Sequence, residues 1–183
     1  IDQCAICVAL RHHADIVMGV VYVPRTGEMF TAQKGHGAFR NGKPIHVSDR
    51  PFANAVVCTA FSVYHKEYTD ICADIIVSLF RQCNDFRRFG ACAPELCYLA
   101  MGRCELYFEY MLGPWDFAAA SLVVTEAGGI ISDLHGQPLS CLEHKGVIAA
   151  NSAENFQKLL ETVQGRMSLT SSPSSRGEGS NGL

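Results

Sequence analysis

The chain has 183 residues, 48% of them hydrophobic and 18% charged, which is enough apolar material for the core of one ordinary globular domain. Its formal net charge of -3 and sequence pI near 6.2 exclude the broad basic surface that is typical of nucleic-acid-binding proteins. No apolar run is long enough to span a bilayer, and the first residues do not have the pattern of a signal peptide. We therefore expect a cytoplasmic protein that binds neither nucleic acid nor membrane.

Nine cysteines, most of them in apolar runs, are the unusual feature of the composition. Their number is odd, and cysteine in an apolar run behaves as a small buried hydrophobic residue, so we expect reduced thiols. Cys4 and Cys7 have the spacing of half a zinc site. No second Cys-x-x-Cys and no paired histidines follow at the spacing of a metal site, which makes zinc the weaker alternative.

The first third of the chain predicts an antiparallel sheet. Four β-rich segments follow one another: "CAICVAL", "IVMGVVYV", "EMFTAQ" and "AFRNGKPIHV". Asn41-Gly42 in the last segment is the strongest short sequence signal for a two-residue hairpin turn. Gly35 and Gly37 could belong to a phosphate-binding loop, but they do not open a helix as such loops do, so a hairpin bend is the preferred interpretation.

Strands and helices alternate in the middle of the chain, which predicts an α/β or a layered α+β fold. Apolar residues recur at helical spacing over residues 66–83 and indicate one amphipathic helix. "DFRRFG" then predicts a short strand, "APELCYLAMG" a helix and "CELYFEY" a further strand.

The last predicted elements are two strands and a helix: "GIISDL", "KGVIAAN" and residues 152–164. Asn151 or Ser152 is the expected N-cap of this helix. Residues 165–183 are rich in Ser and Gly and poor in apolar residues, which predicts a disordered tail. We therefore expect one folded domain over residues 1–164.

The stretch "GPWDFAAASLVVTEAGG" places one carboxylate, Asp116, at the start of an otherwise apolar segment. The segment predicts a buried helix with Asp116 as its N-cap and Gly128-Gly129 at its end. Free N–H groups at a helix start bind phosphate oxygens, and a carboxylate beside them can hold a divalent cation that bridges to the phosphate. An N-cap without any ligand is the alternative, and this motif alone does not decide between the two.

Neighbouring residues favour a ligand site. Glu109 lies at the end of a predicted strand shortly before Asp116, so that both acids can face one crevice. Gly90 precedes the start of a second predicted helix, where glycine allows a ligand to approach the backbone closely. Arg87 and Arg88 come just before it and belong either to the site or to a solvated strand edge. Together these features predict a small polyhydroxylated, phosphorylated ligand with a divalent cation.

The longer stretch "GPWDFAAASLVVTEAGGIISD" resembles the C-terminal signature of the inositol monophosphatase family, which is Trp-Asp-x-Ala-Ala-Gly followed by an apolar stretch and Glu-Ala-Gly-Gly. Similarity also covers "GVVYVPRTGEMFTAQKGHGAFRNGKPIHVS", "RRFGACAPELCYLAMGRCELYFE" and "VIAAN", and thus about residues 1–164. The resemblance implies a layered α-β-α-β-α fold of the sugar-phosphatase type. It also implies a Mg2+-dependent phosphomonoesterase that works as a homodimer.

The resemblance further implies roles for individual residues. Asp116 corresponds to a metal ligand that also approaches a substrate hydroxyl, and Glu109 to the acid that contacts the inositol ring. Gly90, Ala91 and Cys92 correspond to a Gly-Ser/Thr-Ala helix start that contacts the substrate. Ala91 lacks the usual hydroxyl and Cys92 replaces a small alanine, so backbone contacts can be kept while a side-chain hydrogen bond is lost.

The other metal ligands of the family lie in a Glu-Glu segment and in Asp-Pro-Ile/Leu-Asp-Gly-Thr, and this chain contains neither motif. Asp2 is not expected to replace them, because Gln3 follows it and the alignment puts it after the motif. We expect a chain that begins after the motif and lacks roughly the first third of the fold. We assign no catalytic residue within it and expect little or no phosphatase activity from it alone, because Mg2+ needs more than one anionic ligand.

Two hypotheses follow from the sequence. The first is a phosphatase whose N-terminal part lies outside this chain and whose substrate is a small phosphorylated polyol, inositol monophosphate in preference to a nucleotide bisphosphate or fructose bisphosphate. The second is a short, non-catalytic binding or regulatory module derived from the same fold. We favour the first, because loss of a layer would expose apolar strands such as "CAICVAL" to solvent.

Overall fold

The computed structural model describes residues 3–171, and Asp2 and most of the predicted tail, residues 172–183, lie outside them. Within the described residues two five-stranded sheets and four α-helices are formed. The strands of the first sheet are β1 (Ile6–His12), β2 (Asp15–Val23), β3 (Glu28–Gln33), β4 (Ala38–Arg40) and β5 (Lys43–Ile45). Those of the second sheet are β6 (Val56–Ala60), β7 (Asp85–Arg87), β8 (Leu106–Leu112), β9 (Ile130–Ser132) and β10 (Lys145–Ala150). The helices are α1 (Thr69–Phe80), α2 (Cys92–Ala100), α3 (Pro114–Glu126) and α4 (Ala153–Ser171).

The first sheet is an antiparallel meander in which β1 to β5 pair in chain order, as the sequence predicted. Asn41 and Gly42 form the predicted two-residue turn between β4 and β5, and both have positive φ angles, 49° and 76°. Such angles are those of a type I′ turn, whose twist matches that of the strands it joins.

Gly35 and Gly37 lie in the bend between β3 and β4, so the prediction of a hairpin bend is confirmed. Their N–H groups donate hydrogen bonds of 2.7 and 2.8 Å to the two carboxylate oxygens of Glu126 at the end of α3. The two glycines thus form an anion-binding turn, but its anion is a side chain of the same chain.

The second sheet has the strand order β7-β6-β8-β10-β9. Strand β6 runs parallel to both of its neighbours, β7 and β8, whereas β10 is antiparallel to β8 and β9. The carboxyl ends of the parallel strands β6 and β8 therefore lie at the same edge of the sheet, with Ala60 directly opposite Glu109.

The helix predicted over residues 66–83 is shorter and has two parts. A 3-10 turn over Lys66–Tyr68 leads into α1, which ends at Phe80. Arg81 and Gln82 follow, and only Cys83 is apolar in the rest of the predicted helix. The N–H of Asn84 then donates to the carbonyl of Ala55, 2.9 Å away, where the chain leads into β7.

The described elements form four layers, in the order first sheet, α2 and α3, second sheet, α1 and α4. One core cluster joins the inner face of the first sheet, through Val21 and Phe30, to α2, α3 and one face of the second sheet. A second cluster lies between the other face of the second sheet and the helices α1 and α4. Layers that bury an apolar face on each side account for the near-continuous apolar character of α2 and α3.

Helix α3 lies very close to the first sheet at Gly19 of β2. A Cβ atom at this position would lie 2.4 Å from the backbone oxygen of Ala119, so only glycine fits there. The small residues Ala118 to Ala120 allow this approach.

The outer face of the first sheet is exposed and apolar. On β1 it presents alternate residues Ile6, Val8 and Leu10, and β2 adds Met18 and Tyr22 beside them. These five side chains are 36 to 59% exposed. Residues 3–171 thus supply four of the five layers of the expected α-β-α-β-α arrangement.

Helix α4 extends further than the sequence predicted. Ser152 is its N-cap, as expected, since its hydroxyl accepts a hydrogen bond of 3.2 Å from the N–H of Asn155. The helix does not stop at Gln164 but continues to Ser171, into the stretch where we predicted disorder. No helix within residues 3–171 is both long and apolar enough to cross a membrane.

Candidate active site

A pocket of about 710 Å³ opens at the edge of the second sheet where β6 and β8 end and where α2 and α3 begin. All five residues that the sequence singled out for the site line this pocket: Gly90, Ala91, Cys92, Glu109 and Asp116. The prediction that two acids face one crevice is therefore confirmed by their position. Two helix N-termini beside the ends of parallel strands create a positive potential that favours an anionic ligand.

Asp116 reaches the pocket from α3, although not as the predicted N-cap. The helix begins earlier, at Pro114, whose fixed φ suits the first turn, and Gly113 is the N-cap. The carboxylate of Asp116 reaches back and accepts a hydrogen bond of 3.0 Å from the N–H of Gly113. Burial raises the pKa of Asp116 above its ordinary value, against the opposing effects of this hydrogen bond and of His144.

Glu109 is the more deeply buried of the two acids, with 9% of its surface exposed. The hydroxyl of Tyr107 donates a hydrogen bond of 2.7 Å to its Oε2 atom. Burial is the main cause that raises the pKa of Glu109 to about 7, and the carboxyls of Glu95 and Asp116 contribute to the rise, whereas the Tyr107 hydrogen bond and the charge of Arg88 oppose it. At neutral pH Glu109 can therefore accept or donate a hydrogen bond to a hydroxyl-bearing ligand.

The start of α2 presents backbone groups to the pocket. Ala91 is the N-cap, and Gly90 before it has a φ of 97°, a conformation that glycine adopts without strain. Cys92 is the first residue of the helix and its thiol is buried, which raises its pKa well above the ordinary value. By their position in the first turn, the N–H groups of Cys92 and Ala93 have no acceptor within the helix and can donate to a ligand.

The carboxylate of Glu95, on the same helix, is 1% exposed and stabilises the turn that leads into α2. Its Oε1 atom accepts hydrogen bonds from the N–H groups of Phe89 and Gly90, at 2.7 and 2.8 Å. Burial raises the pKa of Glu95 to about 7, while these backbone donors and Arg88 lower it.

The two arginines before Gly90 have different positions. Arg87 is bound to Asp85 at the exposed end of β7 and fits the interpretation of a solvated strand edge. Arg88 lines the pocket and lowers the pKa of both Glu95 and Glu109 by its charge. Only the second arginine thus belongs to the site.

Aromatic rings border the pocket on the side of α3. Trp115 is 67% exposed, and its ring meets that of His144 edge to face with 5.2 Å between the centroids. Phe61 and Tyr64, in the loop after β6, line the pocket as well. An amphipathic ligand can therefore contact rings near the surface and polar groups in the interior.

The described residues offer an incomplete donor set for Mg2+. Among residues 3–171 no group of three histidine, cysteine or acidic side chains is arranged to hold a metal ion. This also holds for Cys4 and Cys7, and all nine cysteines are free thiols. Asp116 is a suitable oxygen ligand, but a single carboxylate alone binds Mg2+ weakly, because Mg2+ needs near-ideal octahedral geometry.

Sequence reasoning missed two residues of the site, Tyr107 and Glu95. Tyr107 is fully buried in β8 and looks like one more core aromatic in the sequence. Glu95 gives a clearer signal, because it is the only charged residue in the apolar helix segment "APELCYLAMG". An acid on the buried face of a helix needs hydrogen-bond donors, and here they come from the turn before the helix.

Comparison with known proteins identifies the family. The sequence model of the inositol monophosphatase family matches residues 1–168. The chain belongs to the inositol monophosphatase family. It is 37% identical over 161 residues to Nus factor SuhB of Vibrio cholerae, across 87% of this chain and 60% of that protein. It is 42% identical over 133 residues to Nus factor SuhB of Escherichia coli K12, across 72% of this chain and 50% of that protein. The chain thus spans 50 to 60% of the length of these relatives.

Solved structures confirm the predicted fold class. The extragenic suppressor protein suhB from Bartonella henselae superposes with a TM-score of 0.80 at 33% identity, and the likeness covers 87% of this chain and 61% of that one. The inositol monophosphatase of Thermotoga maritima gives a TM-score of 0.80 at 27% identity, across 90% of this chain and 62% of that one. Both sheets and all four described helices therefore belong to an inositol monophosphatase-type fold.

Proposed function

We propose that the protein to which this chain belongs is a Mg2+-dependent phosphomonoesterase that acts on a small phosphorylated polyol, inositol monophosphate. The observation that carries the proposal is that Glu109, Asp116 and the start of α2 line one pocket. This combination offers a hydroxyl-binding acid, a metal-binding acid and phosphate-binding amides within the reach of one small ligand. Family membership supports the same class of reaction.

Each part of the site has a role in this proposal. The backbone of Gly90, Ala91 and Cys92 binds the substrate at the start of α2. Glu109 contacts ring hydroxyls, and its pKa of about 7 lets it exchange hydrogen bonds with them without placing a full charge beside the phosphate. Asp116 is one ligand of the Mg2+ ion and also contacts a substrate hydroxyl. Because residues 3–171 hold too few metal ligands, the other ligands are proposed to lie outside them.

The test is hydrolysis of inositol 1-phosphate by the full-length protein with and without Mg2+. We expect Mg2+-dependent release of phosphate, and loss of at least 100-fold in kcat in Asp116→Asn, an order of magnitude typical for removal of a group that acts on developing charge. Asn keeps an oxygen for the Gly113 N–H, so that the fold is retained. Asp74→Asn, a change of an exposed acid on α1, is the matched control and leaves kcat unchanged.

Two results would overturn the proposal. One is the absence of Mg2+-dependent turnover in the folded full-length protein. The other is turnover by Asp116→Asn equal to that of the wild type. The 183-residue chain alone is expected to show little or no turnover, because its metal site is incomplete.

A second candidate function is a binding or regulatory role, and the relatives named Nus factor SuhB favour it. In that case the pocket serves recognition rather than turnover. The Asp116→Asn protein separates the two functions when it replaces the wild type in its own cells. Growth equal to the wild type would favour the regulatory role, and the growth defect of a deletion would favour catalysis. A homodimer and the lack of nucleic-acid binding stay predictions.

A further inference from the structure

The turn that precedes α2 is fixed by one buried side chain. Glu95 lies one helical turn inside α2, and its carboxylate points back toward the helix start, where it accepts the N–H groups of Phe89 and Gly90. Ala91 contributes a further backbone interaction with the same carboxylate. Three consecutive residues of the turn are thus bound to a single acid.

The turn needs such an anchor, because Gly90 alone does not hold the backbone in one conformation. Gly90 has a φ of 97° and no atom lies within 4 Å of where a Cβ would be, so local packing does not hold it. Glycine is the most flexible residue of the backbone. Without the Glu95 carboxylate, the N–H groups of Phe89 and Gly90 would lose their charged acceptor, and the turn would sample other conformations.

We propose that Glu95 is a positioning residue of the site: its carboxylate fixes the turn over residues 89–91 so that the backbone of Gly90, Ala91 and Cys92 is held ready for the phosphate group. This inference rests on the proposed function. Glu95 acts through the turn, since its Oε1 atom accepts the backbone N–H groups of Phe89 and Gly90. A positioning role predicts that loss of the Glu95 carboxylate weakens substrate binding and has little effect on the rate of the chemical step.

Charges around Glu95 are consistent with this role. Arg88 lines the pocket and stabilises the ionised form of Glu95, whereas the charge of Glu95 raises the pKa of Glu109, which lines the same pocket. The buried groups Cys92, Cys104 and Tyr107 also interact with Glu95, whose charge raises the pKa of each of them. Measurements at pH 8 keep Glu95 mainly ionised, because that pH lies above its pKa of about 7.

The test is Glu95→Gln in the full-length protein at pH 8, with Glu154→Gln as a matched control. Glu154 also lies in the first turn of a helix, α4, but it is exposed. For inositol 1-phosphate we expect KM to rise about tenfold in Glu95→Gln while kcat stays within about twofold, which is the effect of losing a charge-assisted hydrogen bond in binding only. The control changes neither constant. An unchanged KM, or a fall in kcat that exceeds the rise in KM, would overturn the role of Glu95.

Binding of inorganic phosphate, followed through the Gly90 amide resonance, separates this inference from the proposed function. If the wild type binds phosphate there and Glu95→Gln binds it about tenfold more weakly, the positioning role holds even when no phosphomonoester is hydrolysed. Equal phosphate affinity in the two proteins would refute the positioning role, whatever the outcome of the turnover assay. A Glu95→Gln protein that does not fold is replaced by Glu95→Asp, whose shorter side chain is expected to weaken phosphate binding in the same direction, and equal affinity there would again refute the role.

Discussion

The hydroxyl of Tyr107 lies 2.7 Å from Oε2 of Glu109 and donates a hydrogen bond to it beneath the floor of the pocket. Both residues lie on β8, two positions apart, so their side chains emerge on the same face of the strand. Tyr107 is fully buried, and its ring is therefore held by the core. The core thus fixes the orientation of an acid that lines the pocket.

Replacement of Tyr107 by phenylalanine is expected to raise the pKa of Glu109 above its present value of about 7, because the lost hydrogen bond stabilises the ionised carboxyl. The measurement is the pH titration of the Glu109 side-chain carbon by NMR. Tyr64→Phe, at a residue 93% exposed, is the control and leaves the titration unchanged. A Glu109 pKa that is unchanged or lower in Tyr107→Phe would contradict the assignment.

The two buried acids Glu95 and Glu109 are expected to make the protein less stable as the pH rises. Each has a folded-state pKa of about 7, above the ordinary 4.5, so the folded state binds protons more tightly than the unfolded state. Stability is then full below about pH 4.5 and is lost as the pH rises through about 7, by an upper limit of about 3 kcal/mol for each carboxyl.

Urea unfolding at pH 5 and pH 8 checks this dependence. The lower pH stays above the titration of exposed Asp15 and Asp85, whose pKa values are lowered by Lys34 and Arg87. We expect a smaller free energy of unfolding at pH 8, and a weaker pH dependence in Glu109→Gln. Equal or greater stability at pH 8 would show that these carboxyls are not buried in the acid form.

Replacement of Glu126 by glutamine is expected to destabilise the protein by about 1 to 3 kcal/mol, since two hydrogen bonds from Gly35 and Gly37 lose their charged acceptor. Chemical denaturation gives the free energy, and hydrogen exchange of the two glycine amides gives the local effect. Glu143→Gln is the matched control, because Glu143 is 68% exposed and pairs with Lys145 at 3.3 Å on the surface, so its loss costs less than about 1 kcal/mol. Faster exchange at Gly35 without a change elsewhere would still agree with the contact, whereas unchanged exchange would not.

Two glycine-to-alanine substitutions are expected to have opposite effects. Gly19→Ala places a methyl group 2.4 Å from a backbone oxygen of Ala119 and costs about 3 kcal/mol. Gly165→Ala meets no atom within 4 Å in the exposed part of α4 and stabilises the helix by about 0.5 to 1 kcal/mol. We expect a lower melting temperature for Gly19→Ala and a higher one for Gly165→Ala. A Gly19→Ala protein as stable as the wild type would mean that α3 is free to move away from β2.

Local sequence signals predicted much of the fold because they act over a few residues. Asn41-Gly42 specifies its turn by positive φ angles, and the hydroxyl of Ser152 caps α4 from within the adjoining turn. The ends of helices that depend on contacts with other elements were predicted less reliably. The helix predicted over residues 66–83 divides into a 3-10 turn and α1, which ends at Phe80, and α3 starts at Pro114 rather than at Asp116.

The candidate site shows the same division. Asp116 and Glu109 could be found because they are acids beside apolar segments, and Gly90 because it precedes a helix. Glu95 and Gly90 are only five residues apart, but their hydrogen bond forms only because α2 begins between them. Tyr107 is one of several aromatic and apolar residues in β8, and nothing in its position marks it out. Their roles follow from three-dimensional contacts that no spacing rule specifies.

The first turn of helix α3 places Asp116 in the pocket. Its last residue, Glu126, accepts hydrogen bonds from the bend between β3 and β4. Its 13 residues make a rod of roughly 20 Å, a length that follows from the rise of an α-helix. One helix thus joins the glycine bend of the first sheet to the pocket at the edge of the second sheet.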